Sequence, residues 1–439
     1  MKKKSIYNSS GMHEKKLRYL RFVFLSTVMM MSSRCAFAQT AASADSLFRK
    51  YKFIRPELSS LHNDSIALGP FYKKLDRLKR GDDLHVSVVH IGDSHIQADY
   101  FSGTVRKKLQ QEFGGAGRGL IFPYKVARTN GPVDYRVSSN KEWKAKRNVF
   151  PDQPLPIGIC GITIETEDPN AFISIAIKDT EQIDYSSRKL TLFHTKNPES
   201  FHWEVVIDSG QHVQHVAPAD NGSKFSNSYL FNEPVKSFTL QCVSNSPAQS
   251  KDCIFGIYLE NGRPGIIYNM IGVNGAMYEH YNKSEYFFGQ LSDLKPDLAI
   301  VSLGTNESYS KGFDSLTFYH TVDTFVTNLR KFNPGINIIL TTPGDCSKKI
   351  RSGKKRFYSK NINIPIIRNT LITYCRNNNL AYWDWLEVMG GYGVMDDWFK
   401  NKLTDKIHLH LSRQGYILQG ELLYKAIVNG YSRNKKNKN

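Results

Sequence analysis

Two hydrophobic rhythms alternate along the chain. Leu84 to His90, Leu298 to Leu303 and Ile336 to Thr341 are short apolar, β-branched runs, the pattern of strands buried on both faces. Ile266 to Met270 and Leu380 to Trp385 read as two further strands. Between these runs the apolar period lengthens to that of helices. Ser102 to Phe113 places Val105, Leu109 and Phe113 four residues apart, and Gly114-Gly115 ends the pattern. Residues 45 to 80 are expected to be helical, with one segment from Ser46-Leu47-Phe48 and another over Pro70 to Leu78. Ala276 to Tyr281, Phe318 to Phe332, Pro365 to Asn377 and Gln414 to Tyr431 complete the helices. Strand and helix in alternation predict a parallel sheet covered on both faces.

A different pattern fills the middle of the chain. Ile162 to Thr166, Phe172 to Ile177, Leu190 to His194, Trp203 to Ile207, Tyr229 to Phe231, Phe238 to Cys242 and Ile254 to Leu259 alternate with turn residues, without an intervening helix. Such spacing predicts a β-sandwich or jelly roll. The chain thus reads as one α/β domain, residues 39–129 and 263–431, interrupted by an all-β module at 130–262.

The start of the chain has a separate purpose. Lys15, Lys16, Arg18 and Arg21 precede a short apolar core, Phe22 to Met31, and Ala36-Phe37-Ala38 supplies small residues for cleavage before Gln39. Residues 1–38 are therefore expected to be a signal peptide and the protein to be exported, to the periplasm or beyond the cell. The apolar run is about half of what spans a bilayer, and no later run is long enough, so no stable membrane insertion is expected. The formal charge is +19. Residues 1–38 hold +7 of it, leaving +12, partly in a basic tail at 432–439 that reads as frayed. Export argues against a nucleic-acid partner. A basic exported protein suits anionic wall polymers or lipid headgroups, or is simply soluble. Cys160, Cys242, Cys253, Cys346 and Cys375 remain after cleavage, an odd number without metal-binding spacing, so no metal is expected. Cys242 and Cys253 flank a possible hairpin and are candidates for a disulfide.

Candidate chemistry gathers where strands end. Gly92-Asp93-Ser94-His95 follows the first strand and places Ser94 on a tight turn at the carboxyl edge of the sheet, where ligands of open α/β sheets bind. Gly272-Val273-Asn274-Gly275-Ala276 follows the second strand, and its glycines free backbone N–H groups for close approach. Gly304-Thr305-Asn306-Glu307 follows the third and supplies an amide donor. Asp405-Lys406-Ile407-His408-Leu409-His410 precedes the last helix.

The order Ser, Gly, Asn, Asp-x-x-His resembles that of the SGNH, or GDSL, hydrolases. Gly92-Asp93-Ser94 is similar to their first block, Gly275 to the second, Gly304-Thr305-Asn306 to the third and Asp405-x-x-His408 to the last. The resemblance implies a three-layer, flavodoxin-like α/β/α domain and a serine esterase without a cofactor. It makes Ser94 the nucleophile and Asp405 the residue orienting the base. The N–H groups of Ser94 and Gly275 and the Asn306 amide would form the oxyanion hole. The Asp-x-x-His spacing names His408 as base. A glycine five residues on, Gly415, fits His410 instead. The local contact to Asp405 is the tighter constraint, so His408 is expected, with His410 the alternative. Asp93 is expected to brace the turn.

Within that family, Gly-Asp-Ser-His, Asn-Gly-Ala, Gly-Thr-Asn-Glu and the inserted β module together resemble the bacterial peptidoglycan O-acetylesterases. The run Gly256 to Gly262, leading out of the module, strengthens the likeness. The implied substrate is an acetylated glycan, peptidoglycan first. A different polysaccharide acetylesterase, a lipase and a non-catalytic glycan-binding protein are the alternatives. The module's Phe201, Trp203 and Tyr229 would either hold glycan or form the sandwich core. Oligomeric state is not legible.

Overall fold

The computed structural model describes residues 50–150, 155–178, 183–208, 210, 213–219, 221–352 and 355–436. The expected signal peptide and the segment from Ser46 lie outside the described residues. The chain divides at Ile54, and the unit from Arg55 to Asn439 contains both the α/β and the all-β parts.

Six strands build the main sheet, in the order Leu61–His62, Ala381–Trp383, Asn337–Thr341, Leu298–Ser302, His85–Gly92 and Gly265–Gly272. Five run parallel, and Leu61–His62 joins antiparallel at one edge. That edge strand corrects the helical expectation for 45–80: the helix proper is Gly69–Lys79, and Leu61 is buried against Trp383 instead. Tyr100–Phe113 packs on Gly265–Gly272 and on the last helix, Arg413–Lys436, while Ser315–Phe332 packs with Tyr278–Asn282 and Asn363–Asn377. These two groups of helices bury the apolar stripes seen in the sequence. The last helix continues through Lys436, so the basic tail expected to fray from residue 432 is helical through that residue.

The strand His85–Gly92 is buried from Val86 onward and carries a histidine in its middle. His90 Nδ1 meets Tyr268 Oη at 2.7 Å and Nε2 meets Ser302 Oγ at 2.8 Å, which Thr341 Oγ1 reaches at 3.0 Å. Burial drives the His90 pKa down to about 3. A neutral, fully bonded imidazole therefore links four neighbouring strands, the satisfied state that a buried polar group requires.

The all-β part has two antiparallel sheets. One runs Val213–Val216, His202–Asp208, Ser237–Val243, Phe172–Ile177, Tyr135–Ser139. The other runs Ser226–Val235, Ser187–His194, Asp252–Glu260, Ile162–Thr166, Lys144–Arg147, with Gly119–Ile121 added on Asp252–Glu260. Ile173, Ile175 and Ile177 alternate inward as the sequence pattern requires. Phe201, Trp203 and Tyr229 are core residues, each 2% exposed or less. Trp203 stacks on Trp143 and donates to Asp252 Oδ2 at 2.7 Å. These rings are thus closed to a glycan. Cys242 and Cys253 are buried and unpaired, as are the other three described cysteines, which corrects the disulfide expectation.

Candidate active site

Gly92 ends the nucleophile strand because nothing larger fits there. A Cβ would lie 2.8 Å from the Ser302 carbonyl and closer still to the Ile96 side chain. Asp93 then caps the short helix Ser94–Gln97 through Oδ1, which accepts from His95 N at 2.9 Å. Ser94 is left at the first helical position. Its N–H has no backbone partner among the described residues.

Ser94 Oγ lies 3.0 Å from His410 Nε2, and His410 Nδ1 lies 3.1 Å from Asp405 Oδ2. The expected base, His408, is elsewhere, and this is the main correction to the sequence reading. The reason is the turn that Asp405 builds. Its Oδ1 accepts from Ile407 N at 3.1 Å and Leu409 N at 3.2 Å, while the Asp405 N–H and Thr404 Oγ1 both hold the His410 carbonyl. Tightening that loop drives His408 to a left-handed φ of 55° and turns its ring away. The His408 ring stacks on Tyr358 at 4.8 Å and lies tilted against Phe399 at 4.3 Å. Its Nδ1 lies 3.3 Å from Asp396 without the alignment of a hydrogen bond.

Gly275 adopts φ 84°, open to glycine and strained for other residues, and its N–H also lacks a backbone partner among the described residues. Its loop is fixed by Gln97, whose Oε1 accepts from Asn274 N at 2.6 Å. Gln97 Nε2 in turn donates to the Asn130 carbonyl at 2.6 Å, and Asn274 Nδ2 donates to Asn130 Oδ1 at 2.7 Å. Sequence reasoning missed Gln97 and Asn130. Only the fact that Gln97 sits one helical turn after Ser94 hinted at a role.

Asn306 Nδ2 donates to Asp93 Oδ2 at 3.1 Å and to the Ala276 carbonyl at 3.0 Å. One amide therefore joins the loops after three strands. Both its protons are engaged, so an oxyanion must share one with Asp93. Burial pushes the Asp93 carboxyl up to about 8, with Glu307 adding to the shift and the His95 N–H opposing it. Glu307 is also buried and raised by burial to about 7, although its Oε1 accepts from Tyr278 N at 2.9 Å. At neutral pH Asp93 is mostly uncharged and pulls on Asn306 less than a carboxylate would.

His95 stands behind His410, with ring centroids 5.3 Å apart. Its Nδ1 meets Tyr416 Oη at 2.9 Å, and burial, with His410 nearby, holds its pKa down to about 3. It packs against the base and is uncharged at neutral pH. Its Nε2 borders an internal cavity of about 30 Å³ shared with Asp345 and Gln419. That volume suits one or two waters, and Asp345 Oδ1 and Gln419 Oε1 are the other polar atoms there without a protein partner. Among the described residues no group of three or more His, Cys, Asp or Glu is arranged to hold a metal ion.

Comparison with known proteins agrees with this geometry. Residues 256–418 match the model of the GDSL-like Lipase/Acylhydrolase family. No curated protein matches the sequence significantly. A solved structure described as "Peptidoglycan O-acetylesterase in action, 5 min" superposes with a TM-score of 0.69 at 20% identity, over 85% of this chain and 99% of that one. It shows a common fold, module included. A family two carbohydrate esterase from Clostridium thermocellum in complex with cellohexaose overlaps at a TM-score of 0.30 and 11% identity, over 67% of this chain and 100% of its own. A GDSL-like lipase from Bacteroides thetaiotaomicron VPI-5482 gives 0.29 and 17%, over 37% and 76%. The two low scores carry no weight beyond a local likeness. The family model spans the second, third and fourth blocks, from Gly275 to His410, and the fold shared with the first of these structures extends the likeness to the nucleophile strand and the module.

Proposed function

We propose that the protein is exported and removes O-acetyl groups from a cell-wall glycan, with O-acetylated peptidoglycan as substrate. The observation that carries the reading is the line Ser94 Oγ, His410 Nε2, His410 Nδ1, Asp405 Oδ2, with steps of 3.0 and 3.1 Å. His410 takes the Ser94 proton as Oγ attacks the acetyl carbonyl, and Asp405 stabilises the imidazolium that forms. The developing oxyanion accepts from the Ser94 and Gly275 N–H groups and shares the Asn306 amide with Asp93. Each such donor is worth on the order of 3 kcal/mol in the barrier. Collapse breaks the ester bond, His410 returns its proton to the sugar oxygen, and acetyl-Ser94 remains. Water, deprotonated by His410, then releases acetate and regenerates Ser94.

The glycan assignment is supported by the fold shared with a structure named for peptidoglycan O-acetylesterase. It is also supported by an open groove of about 670 Å³ on the module, bordered by Tyr124, Arg136, Ser174, Asp208 and Thr239. This groove, lined by polar and apolar residues together, replaces the buried aromatics as the module's proposed surface for sugar. The test is acetate release from O-acetylated peptidoglycan set beside acetylated xylan and a long-chain ester, for the native chain and Ser94→Ala. Preferential release from peptidoglycan that vanishes in Ser94→Ala is expected. Turnover of the long-chain ester without acetate release would overturn the substrate, and full activity in Ser94→Ala would overturn the nucleophile.

A further inference from the structure

Between the strand Asn337–Thr341 and the helix Asn363–Asn377 the chain makes a hairpin, Ser347–Ser352 paired with Lys355–Lys360, that joins no other sheet. Residues 347–360 contain seven Lys or Arg and no Asp or Glu. Lys348, Lys349 and Lys360 make no ion pair among the described residues, whereas Lys74, Lys79, Lys108 and Lys189 all do. The cross-strand pair Ile350 and Phe357 is 39% and 47% exposed. A lone two-stranded hairpin with an exposed apolar pair and unpaired like charges contributes little to folding.

Its base, in contrast, is firmly held at the active site. The Ser347 N–H donates to the His408 carbonyl at 3.0 Å, two residues before His410. Tyr309 Oη, from the turn after Asn306, donates to the Ser347 carbonyl at 2.9 Å. Tyr358 stacks on His408 with an interplanar angle of 6°. The hairpin is thus attached to the two loops that carry Asn306 and His410.

We propose that this hairpin is a docking strip for the carboxylate-bearing part of the substrate polymer next to the esterified sugar. The proposal rests on the glycan reading above and names what selects polymer over small ester. Charge complementarity identifies the occupant: a fourteen-residue strip with seven Lys or Arg and no acid among its own residues attracts a chain that carries repeated carboxylates. The exposed Ile350 and Phe357 offer apolar contact to the faces of sugar rings. Attachment to the catalytic loops favours a substrate chain over a lipid surface, because a chain bound on the strip continues towards Ser94.

The test uses the full chain and two triple variants, Lys348→Ser/Lys349→Ser/Lys360→Ser and Lys348→Arg/Lys349→Arg/Lys360→Arg. With O-acetylated peptidoglycan the serine variant should show a KM raised about tenfold, with kcat kept. p-Nitrophenyl acetate turnover should be unchanged in both variants, and the arginine variant should keep the native KM. Raising salt to 0.5 M should weaken the native chain's polymer reaction more than that of the serine variant, which keeps four of the seven cations. Equal loss on both substrates, an unchanged KM in the serine variant, or a raised KM in the arginine variant overturns the proposal. Loss of binding to phosphatidylglycerol vesicles with polymer turnover intact overturns it in favour of a lipid surface. Co-sedimentation with de-O-acetylated peptidoglycan separates this proposal from the catalytic one, because it needs carboxylates and no ester. Native binding that falls about tenfold in the serine variant supports the strip even if acetate release fails, and equal binding overturns it.

Discussion

Asp405 divides its two oxygens between its own turn and the base, Oδ1 to the Ile407 and Leu409 N–H groups and Oδ2 to His410. The spacing Asp-x-x-His suggested a contact that the turn forbids, since a carboxylate capping its own loop cannot also meet His408. The distance to Gly415 held the better signal, but nothing in the residues ranked it first. His410→Ala should lower kcat for acetate release on the order of 10⁵-fold. His408→Ala should keep kcat within a few-fold and lower stability by about 1–3 kcal/mol through lost packing on Tyr358 and Phe399. Side-by-side kinetics and thermal melts decide, and inactivation by His408→Ala alone would reverse the assignment.

Asp93 makes a second prediction at this scale. Its folded pKa, about 8, lies above the ordinary carboxyl value. The native state therefore holds a proton that the unfolded chain has released, and stability falls as pH rises from about 4 to 8, by at most about 1.4 kcal/mol per pH unit from this group. Above pH 8 the new charge also grips Asn306 and withholds it from the oxyanion. kcat/KM should decline on the alkaline side with an apparent pKa near 8, and a flat profile to pH 9.5 would contradict the link.

At the scale of elements, burial decided what could be foreseen. Ile162–Thr166 and Phe172–Ile177 were legible to the residue because each alternates or fills a core. The strand Leu61–His62 was hidden in a helical context, being too short to show a period. The hairpin at 347–360 escaped because its strands bury little, and a run of lysines carries no apolar rhythm. The strand-to-helix turn at Gly92 was visible, but the need for glycine there comes from Ile96 and the Ser302 carbonyl, which only the fold brings together. Gly92→Ala should cost about 1–3 kcal/mol by overpacking and displace Ser94 as well. Thermal melts should show the loss, together with a fall in kcat out of proportion to any change in KM.

At the scale of the whole molecule, the α/β part and the module share a buried ion cluster. Asp99, just after the nucleophile turn, holds Arg106 at 2.7 Å and Arg118 at 3.1 Å, and Asp134, at the module's first strand, holds Arg106 at 3.1 Å. Arg118 is fully buried, so removing it leaves Arg106 alone against the Asp99 and Asp134 carboxylates. Arg118→Met should destabilise by about 3–5 kcal/mol. Calorimetry of the native chain should show one transition, with both parts melting together. Two separated transitions would mean that the cluster does not couple them.

The point where the module enters and leaves is narrow. The Ile266 N–H donates to the Gly114 carbonyl at 2.8 Å, so the chain departs for the module and returns from it at adjacent residues. In covalent terms 115–264 could be cut out and the ends rejoined without spanning a gap. In energetic terms they could not. The Leu120 N–H donates to Oδ1 of the buried Asn269 at 2.9 Å, and Arg118 donates to Asp99 Oδ2. A shortened gene would encode a catalytic domain with a continuous backbone and two buried polar groups at its seam that have each lost one partner. Any lineage that shed the module would therefore have to satisfy Asn269 Oδ1 anew and leave Asp99 balanced by Arg106 alone.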